Sequence, residues 1–281
     1  MSVTMDLEEV LAKRPPAEFD VSLTDEDVAL FHERGFITLP RVSTDEELEW
    51  LRGLYDLLFG EVFLNTRSGR FDLVRPYDSA GEDLLPQIIT PETRCPQLKE
   101  TAFYRNGRKL ASQLLGVEAG GLQGWGHMIR KPARVGEALP WHQDEAYWDP
   151  EFDYRALGSW MPLDEASIAS GCMSFIPGLH RSEILPHRHV GDDPMVHALF
   201  TEPPQAAIDT AIAAPVPAGG AVLHHCRILH SSGPNVSDHV RRAWANEWQF
   251  PPVRREAPVE RPWREESRRV WAEKIPSKTK A

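Results

Sequence analysis

The sequence predicts a mainly β domain of the sandwich, jelly-roll or barrel class, preceded by helices. From about residue 120 onward, short apolar runs alternate with turns rich in glycine and proline, which is typical of antiparallel β structure. Before that point, capping residues precede stretches with a 3.6-residue apolar repeat, which indicates helices. With 281 residues, 41% of them hydrophobic, the chain is long enough for one large domain with a sizeable core.

The first part of the domain is predicted to be a helix followed by a short strand. Thr24 can cap a helix over 23–34, with Asp27 at the third position after the cap. Gly35 is the expected end of this helix because glycine readily takes the left-handed conformation found there. The apolar stretch 36–39 then predicts a strand.

Two further helices are predicted before the β region. Thr44 and Glu47 form a capping-box pattern at the start of the first, and 97–115 carries the apolar stripe of the second. The segment 60–94 has little periodicity and several glycines and prolines. We expect it to form long loops of the kind that often act as lids.

The β region and its flanks set the expected domain limits. We expect a loose leader over 1–22, a single domain over 23–250 and a C-terminal extension over 251–281. The extension either is disordered or docks as a helix through Trp263, Val270, Trp271 and Ile275. The predicted strands are 121–131, 140–145, 154–163, 171–176, 221–226, 228–231 and 241–250.

Composition excludes several classes of protein. A net charge of −11 disfavours nucleic-acid binding, and the absence of a long apolar run disfavours a membrane span. Three widely spaced cysteines without a C-x-x-C pair argue against a disulfide framework and against a structural zinc site. We expect a cytoplasmic protein that binds a small molecule, as a monomer or a homodimer.

The stretch Trp141-His142-Gln143-Asp144 is the candidate centre of the chemistry. A histidine and an aspartate two residues apart on an extended segment share one face, where they can hold a metal ion together. On its own this pair is more often a solvated one. A third ligand has to come from elsewhere, and the late β region offers His224, His225 and His230.

Among these three, His230 has the more informative surroundings. It is followed by Ser232 and a Gly-Pro-Asn turn, and Arg241 lies eleven residues downstream. Two histidines and one carboxylate form the facial triad of non-haem ferrous oxygenases, which leaves coordination positions open for other molecules. A zinc hydrolase with the same ligands is the alternative, which the absence of an obvious general base near His142 disfavours.

The sequence resembles the phytanoyl-CoA dioxygenase family of Fe(II)/2-oxoglutarate-dependent oxygenases over roughly residues 25–250. The resemblance implies a double-stranded β-helix core, the cupin-like form of the jelly roll. The matching segments are WHQDEAYW (141–148), WMPLDEAS (160–167), GCMSFIPGLHR (171–181), PAGGAVLHHCRILHSSGPN (217–235) and RRA (241–243).

The resemblance also implies the roles of individual residues. His142, Asp144 and His230 would bind Fe(II), with 2-oxoglutarate and O₂ as co-substrates. Arg241 would bind the far carboxylate of 2-oxoglutarate, because its planar fork pairs with a carboxylate at two points. The other residues expected to contact the co-substrate are Ser232, His127 and Trp148.

By the same resemblance, the expected reaction is hydroxylation of an unactivated C–H bond in a metabolite or a natural-product intermediate, with release of succinate and CO₂. Asp144 supports this, since related halogenases have Ala or Gly at that position to make room for chloride. Desaturation, cyclisation and epimerisation remain open. A non-catalytic jelly-roll protein that binds a metal or a small ligand is the alternative from another class.

Overall fold

The structure is a computed structural model that describes residues 7–62, 70–77, 79 and 81–274. The α-helices are α1 (Leu7–Ala12), α2 (Asp25–Arg34), α3 (Asp45–Leu57), α4 (Ala102–Leu115), α5 (Gln205–Ile208) and α6 (Pro262–Lys274). The strands are β1 (Phe36–Leu39), β2 (Arg70–Asp72), β3 (Pro86–Ile89), β4 (Gln123–Lys131), β5 (Leu139–His142), β6 (Phe152–Pro162), β7 (Met173–Phe175), β8 (Arg188–His189), β9 (Leu199–Phe200), β10 (Ile212–Ala214), β11 (Ala221–His225), β12 (His230–Ser232) and β13 (Arg241–Arg254).

Two antiparallel sheets enclose a cavity, which confirms the predicted mainly β class. The larger sheet has seven strands in the order β1-β11-β6-β13-β4-β3-β2, and the smaller has four in the order β10-β7-β12-β5. Strands β8 and β9 pair with each other. In the described part of the chain the sheets stay separate and do not close into a barrel. Side chains from both sheets line the cavity between them.

Helix α2 forms as its caps predict. The Thr24 side chain accepts a hydrogen bond from the Asp27 backbone N–H, and the Asp27 carboxylate accepts one from the Thr24 N–H. Gly35 ends the helix at φ 86°, in the left-handed region. Both ends of α2 are therefore fixed by local sequence.

Helix α3 departs from its prediction at Glu47. Thr44 caps the helix as expected, accepting from the Glu47 N–H at 3.1 Å. The Glu47 carboxylate, however, accepts from the N–H groups of Ala102 (2.6 Å) and Phe103 (3.0 Å) and from the Ser43 hydroxyl (2.7 Å). It therefore caps the start of α4 and does not complete the capping box of its own helix.

The predicted loose leader over 1–22 contains helix α1, although residues 1–6 lie outside the described residues. Val10 and Leu11 are buried, and the Trp50 indole N–H donates to the Val10 carbonyl at 2.7 Å. The leader differs from the expectation because its apolar residues cover α3.

The segment 60–94 is not only loop. It contains β2 and β3, and β3 extends the larger sheet beside β4 with Gln87 opposite Ile129. Strands of three and four residues are too short to give a readable apolar alternation. Residues 63–69, 78 and 80 of this segment lie outside the described residues.

The C-terminal extension carries a helix, α6, that contacts the β region. Trp263 is buried and its indole N–H donates to the Ala146 carbonyl at 3.0 Å, while that of Trp271 donates to the Pro194 carbonyl at 3.0 Å. Ile275, assigned to the same face from the sequence, lies outside the described residues. Among the helices described, none is long and apolar enough to cross a membrane.

Candidate active site

A cavity of about 570 Å³ lies between the two sheets. Strands β4, β6 and β13 form its wall on one side, and β5 and β12 form the opposite wall. Aromatic and histidine side chains line much of it, with a few charged groups placed among them. A concave, largely apolar site with a few convergent polar groups is the usual form of a small-molecule site.

Three side chains meet at one point of this cavity. His142 ends β5 and pairs in register with His230 of β12. The Asp144 Oδ1 lies 3.7 Å from the Nε2 of His142 and 3.5 Å from the Nε2 of His230. The sequence predicted that Asp144 would lie on the strand. In the structure it instead begins a short helical turn over Asp144–Tyr147. The three ligand atoms still lie within 4.8 Å of one another, so one metal ion can contact all three.

Hydrogen bonds on the far side of each ring fix the orientation of His142 and His230. The Nδ1 of His142 lies 2.8 Å from the Pro140 carbonyl, and that of His230 lies 3.0 Å from the Ile228 carbonyl. Each Nδ1–H therefore donates outward and leaves the Nε2 lone pair facing Asp144. Burial lowers the pKa of His142 to about 3 and also lowers the pKa of His230, so both rings are neutral near pH 7.

A third histidine, His224, holds the other oxygen of the aspartate. Its Nε2 lies 3.1 Å from the Asp144 Oδ2, and its Nδ1 has no hydrogen-bond partner among the described residues. The Nε2–H donor thus orients the carboxylate so that Oδ1 faces the two ligand histidines. The sequence offered His224 as a candidate ligand, and the structure places it behind Asp144.

Arg241 lies at one end of the cavity and is only 2% exposed. Its guanidinium carbon is 5.1 Å from the centre of the Trp160 ring, which supports it through a cation–π contact. Burial lowers the pKa of Arg241 to about 10, so the group stays charged near neutral pH. No ion pair of Arg241 occurs within the described residues, so a ligand carboxylate can occupy its free donors.

Lys131 is a second buried basic side chain at this end, which the sequence reasoning missed. It lies opposite Arg241 in the sheet register. Its Nζ donates to the Ser232 hydroxyl at 2.9 Å and to the Gly233 carbonyl. Burial, and then the nearby Arg241, lower the pKa of Lys131 well below its ordinary value. The inward alternation of β4, with Trp125 and other cavity residues at every second position, was the signal that could have found it.

The other sequence-predicted residues lie at different depths in the cavity. Ser232 is beside Lys131, and His127 pairs with Ala245 further along the sheet. Trp148 lines the cavity but packs edge-on against Trp125, with ring centres 6.1 Å apart. Trp125 in turn lies opposite Glu247, which follows Arg241 by six residues on β13.

Two more cavity residues were assigned no role from the sequence. Glu247 shares the inward face of β13 with Arg241 and Ala245, so strand alternation could have identified it. Burial, and then Asp144, raise the pKa of Glu247 well above its ordinary value. Trp271 of α6 also lines the cavity. Its helix was anticipated, but no sequence signal indicated which surface that helix covers.

Comparison with known proteins identifies the family. The model for phytanoyl-CoA dioxygenase (PhyH) matches residues 31–243. A probable alpha-ketoglutarate-dependent hypophosphite dioxygenase from Stutzerimonas stutzeri is 36% identical over 110 residues, which are 38% of each chain. Phytanoyl-CoA dioxygenase domain-containing protein 1 from Rattus norvegicus is 36% identical over 123 residues, 42% of this chain and 41% of that protein. These alignments thus span well under half the length of the two relatives.

Solved structures match over more of the chain. EvdO2 from Micromonospora carbonacea var. aurantiaca is 39% identical, with a TM-score of 0.77 over 88% of this chain and 98% of that one. A structure of EvdO2 complexed with 2-oxoglutarate matches equally well, with a TM-score of 0.76. EctD from S. alaskensis has a TM-score of 0.66 over 89% of this chain and 87% of that one. At 20% identity, this match supports the fold alone.

These matches confirm the cupin-like jelly-roll class that the resemblance implied. They also agree with the chemistry of the cavity, where two neutral histidines and an aspartate converge near a buried arginine. The chain belongs to the phytanoyl-CoA dioxygenase (PhyH) family.

Proposed function

We propose that this protein is an Fe(II)/2-oxoglutarate-dependent dioxygenase that hydroxylates an unactivated C–H bond of a small metabolite or natural-product intermediate. One observation carries the proposal. A His-Asp-His ligand set and a buried, unpaired Arg241 lie in the same cavity. The His-Asp-His set provides the ligands that iron needs. Arg241 provides the paired hydrogen-bond donors that a carboxylate of a dicarboxylate needs.

The iron ligands in this proposal are His142, Asp144 and His230. Three protein ligands on one face leave further coordination positions open. Iron and 2-oxoglutarate, when bound, would activate O₂, one oxygen atom going to succinate as CO₂ leaves and the other to the substrate as its C–H bond is oxidised. The protein holds the ligands in place through the outward Nδ1–H bonds of the two histidines and the His224 bond to Asp144.

Arg241 and Ser232 bind the far carboxylate of 2-oxoglutarate in this proposal. The guanidinium fork can donate two parallel hydrogen bonds to it. Lys131 donates to the Ser232 oxygen, so the hydroxyl hydrogen is free to point toward the carboxylate. Ala243 and Ala245, small residues on the same strand face, leave room for the body of the molecule.

Asp144 favours hydroxylation because its carboxylate occupies the position that related halogenases leave open for chloride. Desaturation, cyclisation and epimerisation are the alternative outcomes. Two similar folds, at 22% and 20% identity, are titled as a carbocyclase and an epimerase from nogalamycin biosynthesis. The cavity of about 570 Å³ suits a small-molecule substrate.

We further propose that the enzyme works in the cytoplasm as a monomer or a homodimer. Its three cysteines, Cys95, Cys172 and Cys226, are buried and unpaired. Unpaired cysteines fit a reducing compartment, which would also keep ferrous iron reduced.

An anaerobic titration of Fe(II) followed by 2-oxoglutarate tests the proposal. The wild-type protein should develop a weak visible charge-transfer band. Asp144→Ala and Arg241→Met should each lose most of the band and at least 100-fold in substrate-dependent succinate release. Arg254→Met, an exposed change on the same strand, is the matched control and should behave as wild type. Absence of the band from the wild-type protein, or full turnover by either active-site variant, would contradict the proposal.

A further inference from the structure

Glu247 lies six residues after Arg241 on the inward face of β13. We propose that Glu247 is the substrate anchor, which accepts a hydrogen bond from a hydroxyl or ammonium group of the substrate and holds that part of the molecule beside the iron. The inference rests on the proposed function, because it assumes that the Arg241 end holds 2-oxoglutarate. It narrows the substrate class to molecules that carry an O–H or N–H donor close to the oxidised carbon.

The first observation is that this buried carboxyl group lacks a partner. Glu247 is 8% exposed and lines the cavity. Its Oε2 accepts no hydrogen bond, and it forms no ion pair within the described ranges of the chain. Buried polar atoms are nearly always hydrogen-bonded, because leaving one unpaired costs free energy. A ligand that donates to Glu247 would satisfy it.

The second observation is position. Glu247 follows Arg241 by six residues on one strand, roughly 20 Å at about 3.3 Å per residue. Its carboxylate nevertheless lies within 4.8 Å of ligand atoms of Asp144 and His224. A donor group held by Glu247 would therefore lie next to the metal site, and away from the co-substrate carboxylate at Arg241.

Gly158 makes this arrangement sterically possible. It sits between Glu247 and His224 in the sheet register. A Cβ atom at this position would lie 2.5 Å from the His224 ring and 3.2 Å from the Glu247 Oε1. Only glycine lets both side chains approach Asp144 from the same row of the sheet. Gly158 thus leaves space for both the Glu247 carboxyl group and the His224 ring.

Aromatic side chains line the same cavity. Trp125 lies opposite Glu247 in the register and contacts Trp148. Elsewhere in the cavity, Trp271 of α6 packs against Tyr77 with ring centres 4.9 Å apart. All four line the cavity. An apolar wall with one carboxyl group fits a substrate with a hydrocarbon or ring body and one donor group close to the reacting carbon.

Three ring compounds of similar size test this directly. Cyclohexanol and cyclohexylamine carry a hydroxyl and an ammonium donor, whereas cyclohexyl methyl ether keeps the ring and the oxygen but has no donor. Binding is measured by quenching of tryptophan fluorescence, in the metal-free protein and in the anaerobic Fe(II)·2-oxoglutarate protein. We expect the wild-type protein to bind at least one donor compound about tenfold more tightly than the ether. The alcohol and amine results show which donor is preferred.

Two variants separate the substrate role from a structural one. Glu247→Ala should abolish the preference over the ether, and Glu247→Gln should keep a preference for the alcohol but not for the amine. The exposed Glu165→Gln is the matched control. Iron affinity and the charge-transfer band should stay unchanged in all three variants.

Several outcomes would overturn the inference. One is equal binding of all three compounds by the wild-type protein, and another is a preference that survives in Glu247→Ala. A third is a second metal ion per chain that Glu247→Ala removes, since Asp144, His224 and Glu247 also form a possible ligand set. If the probe preference holds but the wild-type protein shows no charge-transfer band, the proposed function fails and Glu247 remains a donor-binding group.

Discussion

At the scale of single residues, the Arg241 end of the cavity contains two buried basic side chains. Arg241 and Lys131 lie opposite each other, and burial lowers the pKa of both. Lys131 contacts Ser232 and the carbonyl of Gly233, which places it behind the serine. We therefore interpret Lys131 as a positioning residue that acts on 2-oxoglutarate through Ser232.

Replacing Lys131 with methionine tests this role. Lys131→Met keeps most of the volume but removes the donor to Ser232. The dissociation constant of 2-oxoglutarate should rise about tenfold, equivalent to about 1.4 kcal/mol, while iron affinity stays constant. The matched control is Arg130→Met, because the neighbouring Arg130 bonds Asp83 and does not line the cavity. An unchanged 2-oxoglutarate titration in Lys131→Met would show that the lysine only supports the fold.

Some residues of the candidate site could be predicted from the sequence, and others could not. His142, Asp144 and His230 were proposed from spacing and resemblance, because metal ligands recur at fixed offsets on strands. Strand alternation could place Lys131 and Glu247 on the inward faces of β4 and β13, but no motif spacing assigns either residue a role. Their position depends on sheet register, with Lys131 opposite Arg241 and Glu247 opposite Trp125. One sequence does not encode register in a readable form.

At the scale of elements, Glu47 links two helices. Its carboxylate accepts from the first two N–H groups of α4 while its own helix is capped by Thr44. Glu47→Ala would leave these buried donors unpaired. The free energy of unfolding should fall by about 3 kcal/mol, as expected for lost hydrogen bonds to a charged group.

Chemical denaturation of Glu47→Ala measures that loss. Glu46→Ala is the matched control, since Glu46 is an exposed residue in the same first helical turn. A Glu47→Ala protein as stable as Glu46→Ala would mean that the link between the helices contributes little.

Helix α6 is the element that joins the C-terminal extension to the turn that begins at Asp144. Trp263 donates to the Ala146 carbonyl, and the buried Arg261 donates to the carbonyls of Glu145 and Trp148. Arg261 also pairs with the fully buried Glu145 carboxylate at 3.0 Å. The segment directly after Asp144 is therefore held by residues from the far end of the chain.

Trp263→Ala should release this segment. Large buried aromatics contribute about 3–5 kcal/mol when truncated, enough to undock a short helix. Backbone amides of residues 145–148 should then exchange hydrogen faster, because local opening becomes less costly. Arg269→Ala, an exposed change on the same helix, should leave that exchange unaffected. Equal exchange in both variants would show that α6 does not stabilise the turn.

At the scale of the whole molecule, buried neutral histidines should make the fold sensitive to acid. Burial lowers the pKa of His187 and His197 to about 4 and that of His225 to about 3. As the pH falls through about 6.5, these histidines bind protons in the unfolded chain but stay neutral in the folded chain. The contribution of these histidines to the free energy of unfolding is therefore fully present above about pH 6.5. It is lost as the pH falls toward 4.

Thermal unfolding of the metal-free protein measures this dependence. Each of these three histidines contributes up to about 1.4 kcal/mol per pH unit within that window. The unfolding temperature should decline steadily from pH 7 to pH 5. A constant unfolding temperature across this range would contradict the burial of neutral rings.

The overall architecture was more predictable than its connections. Helix ends marked by Thr24 and Gly35 and the long strands could be read because local patterns specify them. The strands within 60–94 and the helix within 1–22 were missed, since short elements gain their stability from tertiary packing. The docking surface of α6 depends on contacts between distant segments, which no local pattern reveals.

A crystal structure of the protein grown anaerobically with Fe(II) and 2-oxoglutarate, with anomalous data at the iron edge, tests the central claim most directly. We predict one iron per chain, bound by His142, Asp144 and His230, with the far carboxylate of 2-oxoglutarate at Arg241 and Ser232. Iron bound instead by Asp144, His224 and Glu247, or a co-substrate away from Arg241, would contradict the account.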